Sequence, residues 1–213
     1  MLKVYFLILW VFAIESVQCQ PEIMMSEKWQ LYQELGLSET VSYPAFEQGI
    51  EGYKQYKAEE KGMFVLIDFT KPSTEKRFCV VDMKHKQVLF STYVAHGRKS
   101  GENYAVFFSN EPGSNKSSLG FFRTGDSYYG KNGYSLFLDG LEEGINDKAR
   151  ERAIVIHGAN YSDPSVIQGQ GRLGRSLGCP ALPPLINREI IDVIKGGSLL
   201  YIYGKDQHPE RKG

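Results

Sequence analysis

The sequence has few cysteines, few histidines and no excess of charge of either sign. Its 213 residues include 3 Cys and 4 His, and 25 basic residues balance 25 acidic ones. Nucleic-acid-binding proteins usually show a basic excess or stripe, so we expect no nucleic-acid partner. The HExxH and CxxC spacings typical of zinc sites are also missing, so we expect no metal and no cofactor.

Long apolar runs are missing beyond the first residues. Lys3 precedes an apolar stretch at 4–14 and a polar stretch at 15–20, which is the pattern of an export signal and is short for a membrane span. We predict a signal peptide at 1–19, cleaved after Cys19, and a mature protein with no stable membrane insertion. A buried N-terminal strand or an uncleaved anchor is the alternative.

Cleavage after Cys19 would leave Cys79 and Cys179. An exported protein can join such a pair in a disulfide. Cys79, however, lies in the apolar stretch 78–81, where a free cysteine behaves as a small hydrophobic residue. Both interpretations remain open at this stage.

The hydrophobic pattern divides the rest of the chain into a helical part and a β part. Residues 20–62 form the first part, with two short peripheral helices, the second over 44–57, and a charged linker. Residues 63–204 form the second, an antiparallel β-sandwich or open barrel with a few short helices, and 205–213 form a flexible tail. Strands are predicted at 63–69, 77–83, 87–94, 105–109, 120–124, 134–138, 153–157 and 199–203, and helices at 146–152 and 184–195.

His157 and Cys179 are the strongest candidates for chemistry. An apolar strand leads into His157, and a glycine-containing turn leads into Cys179. An imidazole can take a thiol proton near neutral pH, and the thiolate can then attack a carbonyl carbon. The pair therefore predicts covalent acyl transfer, with alkylation of Cys179 persisting below the ordinary thiol pKa of about 8.5.

Other functional patterns fit the sequence less well. The glycines of 169–174 match a dinucleotide-binding fingerprint, but they do not directly follow a strand. A phosphatase loop needs an arginine six residues after its cysteine, where this chain has Leu185. His96 ends a strand as His157 does, so it either lines the same cleft or lies in a solvated loop.

The stretch from His157 to Cys179 resembles the active-site signature of the murein L,D-transpeptidase catalytic domain family. The matching residues are His157-Gly158, a spacer, and the string 171–183, which contains Ser176-Leu177-Gly178-Cys179. Further matches occur at 93–97, 117–121, 138–142 and 152–158. The resemblance covers most of residues 63–203.

The resemblance implies roles for five residues. Cys179 would be the nucleophile and His157 the general base, oriented by the backbone carbonyl of Gly158. Ser176 occupies the Ser/Thr position of the motif. The amides of Gly178 and Cys179 would form an oxyanion hole.

The chain departs from the family pattern beside the cysteine. Leu177 stands where the pattern has a second histidine, and Ala181 stands where a polar residue is usual. We add Arg172 and Arg175 as substrate-binding candidates, because a guanidinium can clamp a stem-peptide carboxylate. A structural or solvated role for these arginines is the alternative.

The function implied by the resemblance is that of an exported L,D-transpeptidase in the periplasm or cell envelope. It would act, as a monomer, on peptidoglycan stem peptides, forming 3→3 cross-links through an acyl-enzyme on Cys179 and releasing D-alanine. One alternative is an L,D-carboxypeptidase or endopeptidase on the same stem peptides. The other is a catalytically silent wall-binding protein in which Cys79 and Cys179 form a disulfide.

Overall fold

The computed structural model describes residues 26–58 and 60–207. Within them the chain forms one eight-stranded sheet and four α-helices. The strands are β1 (Met63–Asp68), β2 (Phe78–Asp82), β3 (Gln87–Thr92), β4 (Gly120–Gly130), β5 (Gly133–Gly140), β6 (Val155–Gly158), β7 (Ala181–Leu182) and β8 (Leu199–Tyr203). The helices are α1 (Glu27–Glu34), α2 (Tyr43–Gln55), α3 (Ser165–Gln170) and α4 (Pro184–Ile194), with 3-10 turns at Leu37–Glu39 and Asn160–Ser162.

The sheet curls into an open barrel. Its strand order is β3-β2-β1-β8-β4-β5-β6-β7, and its strands run antiparallel except in the pairs β1·β8 and β6·β7. Beyond β3, Ala95 pairs with Ala181 of β7, so the two edges of the sheet approach each other. The predicted mostly β fold class is therefore confirmed. Of the two predicted forms, sandwich and open barrel, the structure shows the open barrel, and two of its strand pairs are parallel.

Side chains alternate along each strand, and each face of the sheet packs against its own hydrophobic core. On β1, Val65 and Ile67 face an inner core that α4 closes with residues such as Ile190. Phe64 and Leu66 face the opposite way and pack against α1 and α2. The inner core thus lies beneath the strands that carry the candidate site.

Two predicted elements are wrong. Residues 105–109 form no strand, because the amides of Val106 and Phe107 both donate to the carbonyl of Ser100 in an irregular loop. Residues 146–152 form turns and no helix. Asn146, the first residue of that predicted helix, donates through its side chain to the carbonyls of Leu119 and Phe121.

Two other predictions concern the ends of the chain. The predicted signal peptide at 1–19 lies outside the described residues, as does most of the predicted tail. None of the helices in the described part is long and apolar enough to span a membrane.

Candidate active site

His157 and Cys179 line the same cavity at the end of the sheet. His157, on β6, pairs with Ser135 of β5 on one side and with Ala181 of β7 on the other. Because Ala181 follows Cys179 by two residues, the short parallel pair places the cysteine loop beside the imidazole. Both residues line one cavity of about 390 Å³.

The His157 imidazole is buried and has a defined orientation. Its Nδ1 lies 3.0 Å from the Gly158 carbonyl oxygen, so Nδ1–H donates there and Nε2 keeps its lone pair. Burial lowers the pKa of His157, and the bond to Gly158 partly opposes that shift. The side chain is therefore neutral near pH 7 and able to accept a proton.

The Cys179 thiol is also buried, with 9% of the residue exposed. Its Sγ donates weakly to the Ala153 carbonyl at 3.5 Å. Burial raises the thiol pKa, while the Val155 amide and the Arg152 charge oppose that shift. Burial outweighs the groups that favour the thiolate, so the shift in the thiol pKa is opposite to the one that reactivity below the ordinary thiol pKa would need; the alkylation behaviour itself stays a prediction.

Ser176 braces the loop that carries Cys179. Its hydroxyl donates to the Cys179 carbonyl at 2.6 Å and accepts the Gly178 N–H at 3.0 Å. The Gly178 amide is therefore bonded within the loop in this structure, and the oxyanion role expected for it stays a prediction.

Steric constraints explain why position 178 is a glycine. It adopts φ +132°, and a Cβ there would lie 2.9 Å from the Lys116 carbonyl oxygen and 3.0 Å from Ile154 Cδ1. A side chain would therefore be both strained and crowded. Gly178 lets the cysteine loop approach the neighbouring backbone closely.

Arg172 and Arg175 both bind Glu102. Arg172 Nε lies 3.0 Å from one carboxylate oxygen, and an Arg175 terminal nitrogen lies 2.6 Å from the other. Arg175 also lines the cavity with Cys179, whereas Arg172 is not among the residues that line it. The two arginines were predicted to have the same role, but in the structure only Arg175 lines the cavity.

The sequence as a whole was compared with known families. Residues 37–203 match the L,D-transpeptidase catalytic domain family. The chain belongs to this family. The matched range includes His157, the cysteine loop and all eight strands of the sheet.

Solved structures similar to this chain include two L,D-transpeptidases and a cell-shape protein. The L,D-transpeptidase from Mycobacterium smegmatis is 14% identical with a TM-score of 0.42, over 67% of this chain and 59% of that one. The helical cell shape determining protein Pgp2 from Campylobacter jejuni is 16% identical with a TM-score of 0.44, over 68% and 48%. An L,D-transpeptidase from Mycobacterium tuberculosis is 12% identical with a TM-score of 0.39, over 67% and 58%. The chain thus spans less than two thirds of these proteins, and a comparison with curated proteins found no match.

His96 of this L,D-transpeptidase domain lies neither in the cleft nor in a solvated loop. It is fully buried, and its Nδ1 lies 2.8 Å from a terminal nitrogen of buried Arg77. Burial and the Arg77 charge lower the pKa of His96 to about 3. The neutral ring accepts from Arg77, and the backbone carbonyl of His96 accepts the Ser176 N–H.

Both described cysteines are free thiols. Cys79 is buried on β2 and packs on the face covered by α1 and α2, and burial raises its pKa to about 12. The structure therefore does not contain the disulfide of the wall-binding alternative. Among the described residues, no group of three or more His, Cys, Asp or Glu side chains could hold a metal ion.

Sequence reasoning assigned no role to Arg77, Arg152 or Tyr161. Arg152 and Tyr161 line the cavity with Cys179, while Arg77 binds His96, whose backbone carbonyl accepts the Ser176 N–H. Arg152 lies three residues before β6, the strand that carries His157, so its position in the sequence could have suggested that it lies near the site. The burial of Arg77 had no such signal, because charged residues are almost always exposed.

Proposed function

We propose that this protein is an exported peptidoglycan L,D-transpeptidase that forms 3→3 cross-links through an acyl-enzyme on Cys179. The observation that carries the proposal is the shared cavity of His157 and Cys179, in which the imidazole directs Nδ1–H at Gly158 and leaves Nε2 basic. Family membership supplies the reaction class.

Acylation begins from a neutral pair. As Sγ of Cys179 attacks the carbonyl carbon of the L-centre of a third-position diamino acid, its proton passes to Nε2 of His157. The N–H groups of Cys179 and Gly178 donate to the resulting oxyanion, and the Gly178 N–H exchanges its bond to Ser176 for this one. Collapse of the intermediate breaks the amide bond, and the imidazolium protonates the departing D-alanine.

Deacylation needs an acceptor. An amine from a neighbouring stem peptide attacks the thioester, transfers a proton to His157 and releases the Cys179 thiolate, which is then protonated. Water as the acceptor would make the same site an L,D-carboxypeptidase. Product analysis distinguishes the two outcomes.

We retain Arg175 as a substrate-binding residue and assign Arg172 a supporting role. Arg175 lines the cavity and can meet a stem-peptide carboxylate there. Arg172 donates to the Leu173 carbonyl at 2.8 Å and binds Glu102, so it holds the loop that presents Arg175.

The test is incubation of the mature protein with tetrapeptide muropeptides, followed by mass spectrometry. We expect cross-linked dimers together with free D-alanine, and no product from Cys179→Ser or His157→Gln. Cys79→Ala is the matched control, because that thiol lies on the far face of the sheet and should leave activity intact. Neither dimers nor D-alanine loss from wild type would refute the proposal.

We also propose that the protein works as a monomer in the periplasm or cell envelope, after removal of residues 1–19. Sequencing the N-terminus of the protein from the cell-envelope fraction tests this. An intact N-terminus in the cytoplasmic fraction would contradict it.

A further inference from the structure

A second cavity, of about 540 Å³, lies between α2 and the sheet, and it shares no lining residue with the active-site cavity. Gln48, Glu51 and Gln55 line it from one exposed face of α2, at helical spacings of three and four residues. The start of β4 and the end of β8 line it from the sheet. The reaction proposed above uses none of these side chains, so the cavity has no role in it.

The wall that the sheet contributes is aromatic. Phe121 and Tyr201 stack with ring centroids 4.2 Å apart, and the ring of Tyr203 lies 6.3 Å from that of Tyr201. Gly52 of α2 faces this stack, and a Cβ at that position would clash with the Phe121 ring. The glycine therefore lets the helix approach the aromatic wall closely. Aromatic surfaces of this kind pack against the C–H faces of sugar rings.

Polar groups around the cavity both donate and accept hydrogen bonds. Gln48 Oε1 accepts the Tyr201 hydroxyl proton at 3.0 Å, which leaves the Nε2 donors of that amide for a ligand. Glu142 uses Oε2 to accept the Phe121 N–H at 2.6 Å, which leaves Oε1 as an acceptor. The exposed amide of Gln55 supplies both kinds of group. The hydroxyl and acetamido groups of amino sugars likewise donate and accept, so the two sets are complementary.

The charges of the cavity disfavour an anionic ligand. Among the described residues that line it, the two charged side chains are the carboxylates of Glu51 and Glu142. Glu51 is paired with Lys28 at 2.6 Å, whereas Glu142 bonds to an uncharged backbone amide. A phosphate or a free peptide carboxylate would meet repulsion there, whereas a neutral sugar would not.

The cavity lies at a distance from the cysteine loop that suits a stem peptide. The Ser117 hydroxyl donates to the Gly178 carbonyl at 3.0 Å, and Leu119, two residues further along the chain, lines the cavity. Because two residues span at most about 7 Å, the cavity begins within roughly 13 Å of the Gly178 carbonyl. The stem residues between the glycan and a carbonyl at Cys179 span about 10 Å when extended. The two lengths agree.

We propose that this cavity binds N-acetylated sugars of the glycan strand while the attached stem peptide occupies the active site. The aromatic wall holds the face of a sugar ring, and Gln48, Gln55 and Glu142 bind its hydroxyl and acetamido groups. The proposal rests on the proposed function, because that function places the third stem residue at Cys179. It adds a second point of substrate recognition, through which the enzyme selects stems attached to glycan over free peptides.

The direct test is an NMR titration of the mature protein with chitotetraose, a neutral chain of N-acetylglucosamine units. We expect the backbone amide signals of residues 48–55 and 119–121 to shift. Because the probe is uncharged, its Kd should stay the same in about 1 M salt, where charges are screened beyond about 3 Å. No shift in these two segments at about 10 mM chitotetraose, a concentration that detects millimolar affinity, would overturn the proposal. Binding that disappears in salt would overturn it as well.

A matched pair of double variants locates the binding site. Gln48→Ala with Gln55→Ala should weaken chitotetraose binding about tenfold, the effect of losing one or two hydrogen bonds. Gln30→Ala with Gln33→Ala also removes two exposed glutamines, but from α1 and outside the cavity, so its Kd should equal that of wild type. An equal Kd for both double variants would place the sugar elsewhere and refute the assignment.

Kinetics test the link to the active site. Wild type should show a lower KM for a disaccharide-linked tetrapeptide than for the free tetrapeptide. The variant lacking Gln48 and Gln55 should raise the first KM about tenfold and leave the second unchanged. A rise in both would indicate damage to the active site and contradict the proposal. The titration needs no turnover, so inactivity on muropeptides would refute the proposed function while leaving sugar binding at this cavity intact.

Discussion

Replacing Ser176 with alanine should both destabilise the protein and disorder the nucleophile. The Ser176 hydroxyl satisfies two backbone groups of the cysteine loop, the Cys179 carbonyl at 2.6 Å and the Gly178 N–H at 3.0 Å. The serine is 4% exposed, so water does not readily replace the lost hydroxyl. Alanine therefore leaves a donor and an acceptor unpaired inside the protein.

The expected size follows from those two groups. Each buried polar group that loses its partner costs about 1–3 kcal/mol, so the two groups together should lower the free energy of unfolding of Ser176→Ala by about 2–6 kcal/mol. For a chain of this size, that corresponds to a fall in Tm of roughly 4–24 °C. Cys179 alkylation and muropeptide turnover should fall as well, because the loop loses the bonds that hold its shape.

Thermal unfolding and alkylation kinetics measure the two effects separately. Ser127→Ala is the control, because its partner, the Tyr134 hydroxyl, keeps its hydrogen bond to the Asp192 carboxylate at 2.6 Å. That variant should stay within about 0.5 kcal/mol of wild type. The reasoning fails if Ser176→Ala melts with the control and keeps the wild-type alkylation rate.

Two further predictions concern acid stability and the cavity rim. Urea denaturation should show the free energy of unfolding falling as pH drops below 6.5 towards 3, since His157 and His96 have lowered pKa values. The unfolded chain then binds protons that the fold excludes, at up to about 1.4 kcal/mol per pH unit for each histidine. A flat profile would contradict this. Leu177 is 63% exposed on the rim of the cavity and should contact substrate. Leu177→Ser should therefore raise KM about fivefold without changing Tm. An unchanged KM would show that Leu177 does not contribute to substrate binding.

The sheet was predictable where strands are defined by their own side chains. The five strands predicted near β1, β2, β3, β5 and β8 carry continuous apolar, β-branched or aromatic runs, which local pattern identifies. β7 has two residues and exists because Ala181 finds a partner in β6. Asn146 is compatible with a helix cap or a cross-link between loops, and only the fold puts the Leu119 carbonyl within its reach.

The candidate site was likewise only partly predictable from the sequence. The order and spacing of His157 and Cys179 are properties of the chain, so sequence could single them out. The state of their protons depends on burial, which sequence does not report, and burial shifts the pKa of Cys179 upwards rather than downwards. Arg172 and Arg175 look equivalent in sequence because their difference depends on which one faces the cavity.

The neutral resting pair fits the exported thiol enzyme that we propose. Burial raises the pKa of Cys179 and lowers that of His157, so both shifts favour thiol and imidazole over the ion pair. The thiolate is the form that oxidants attack, so a buried neutral thiol should persist in an oxidising compartment. In that proposal, reactivity depends on a carbonyl carbon reaching Sγ while His157 accepts the proton. A thiol of this kind is reactive towards a bound substrate and resistant to its surroundings.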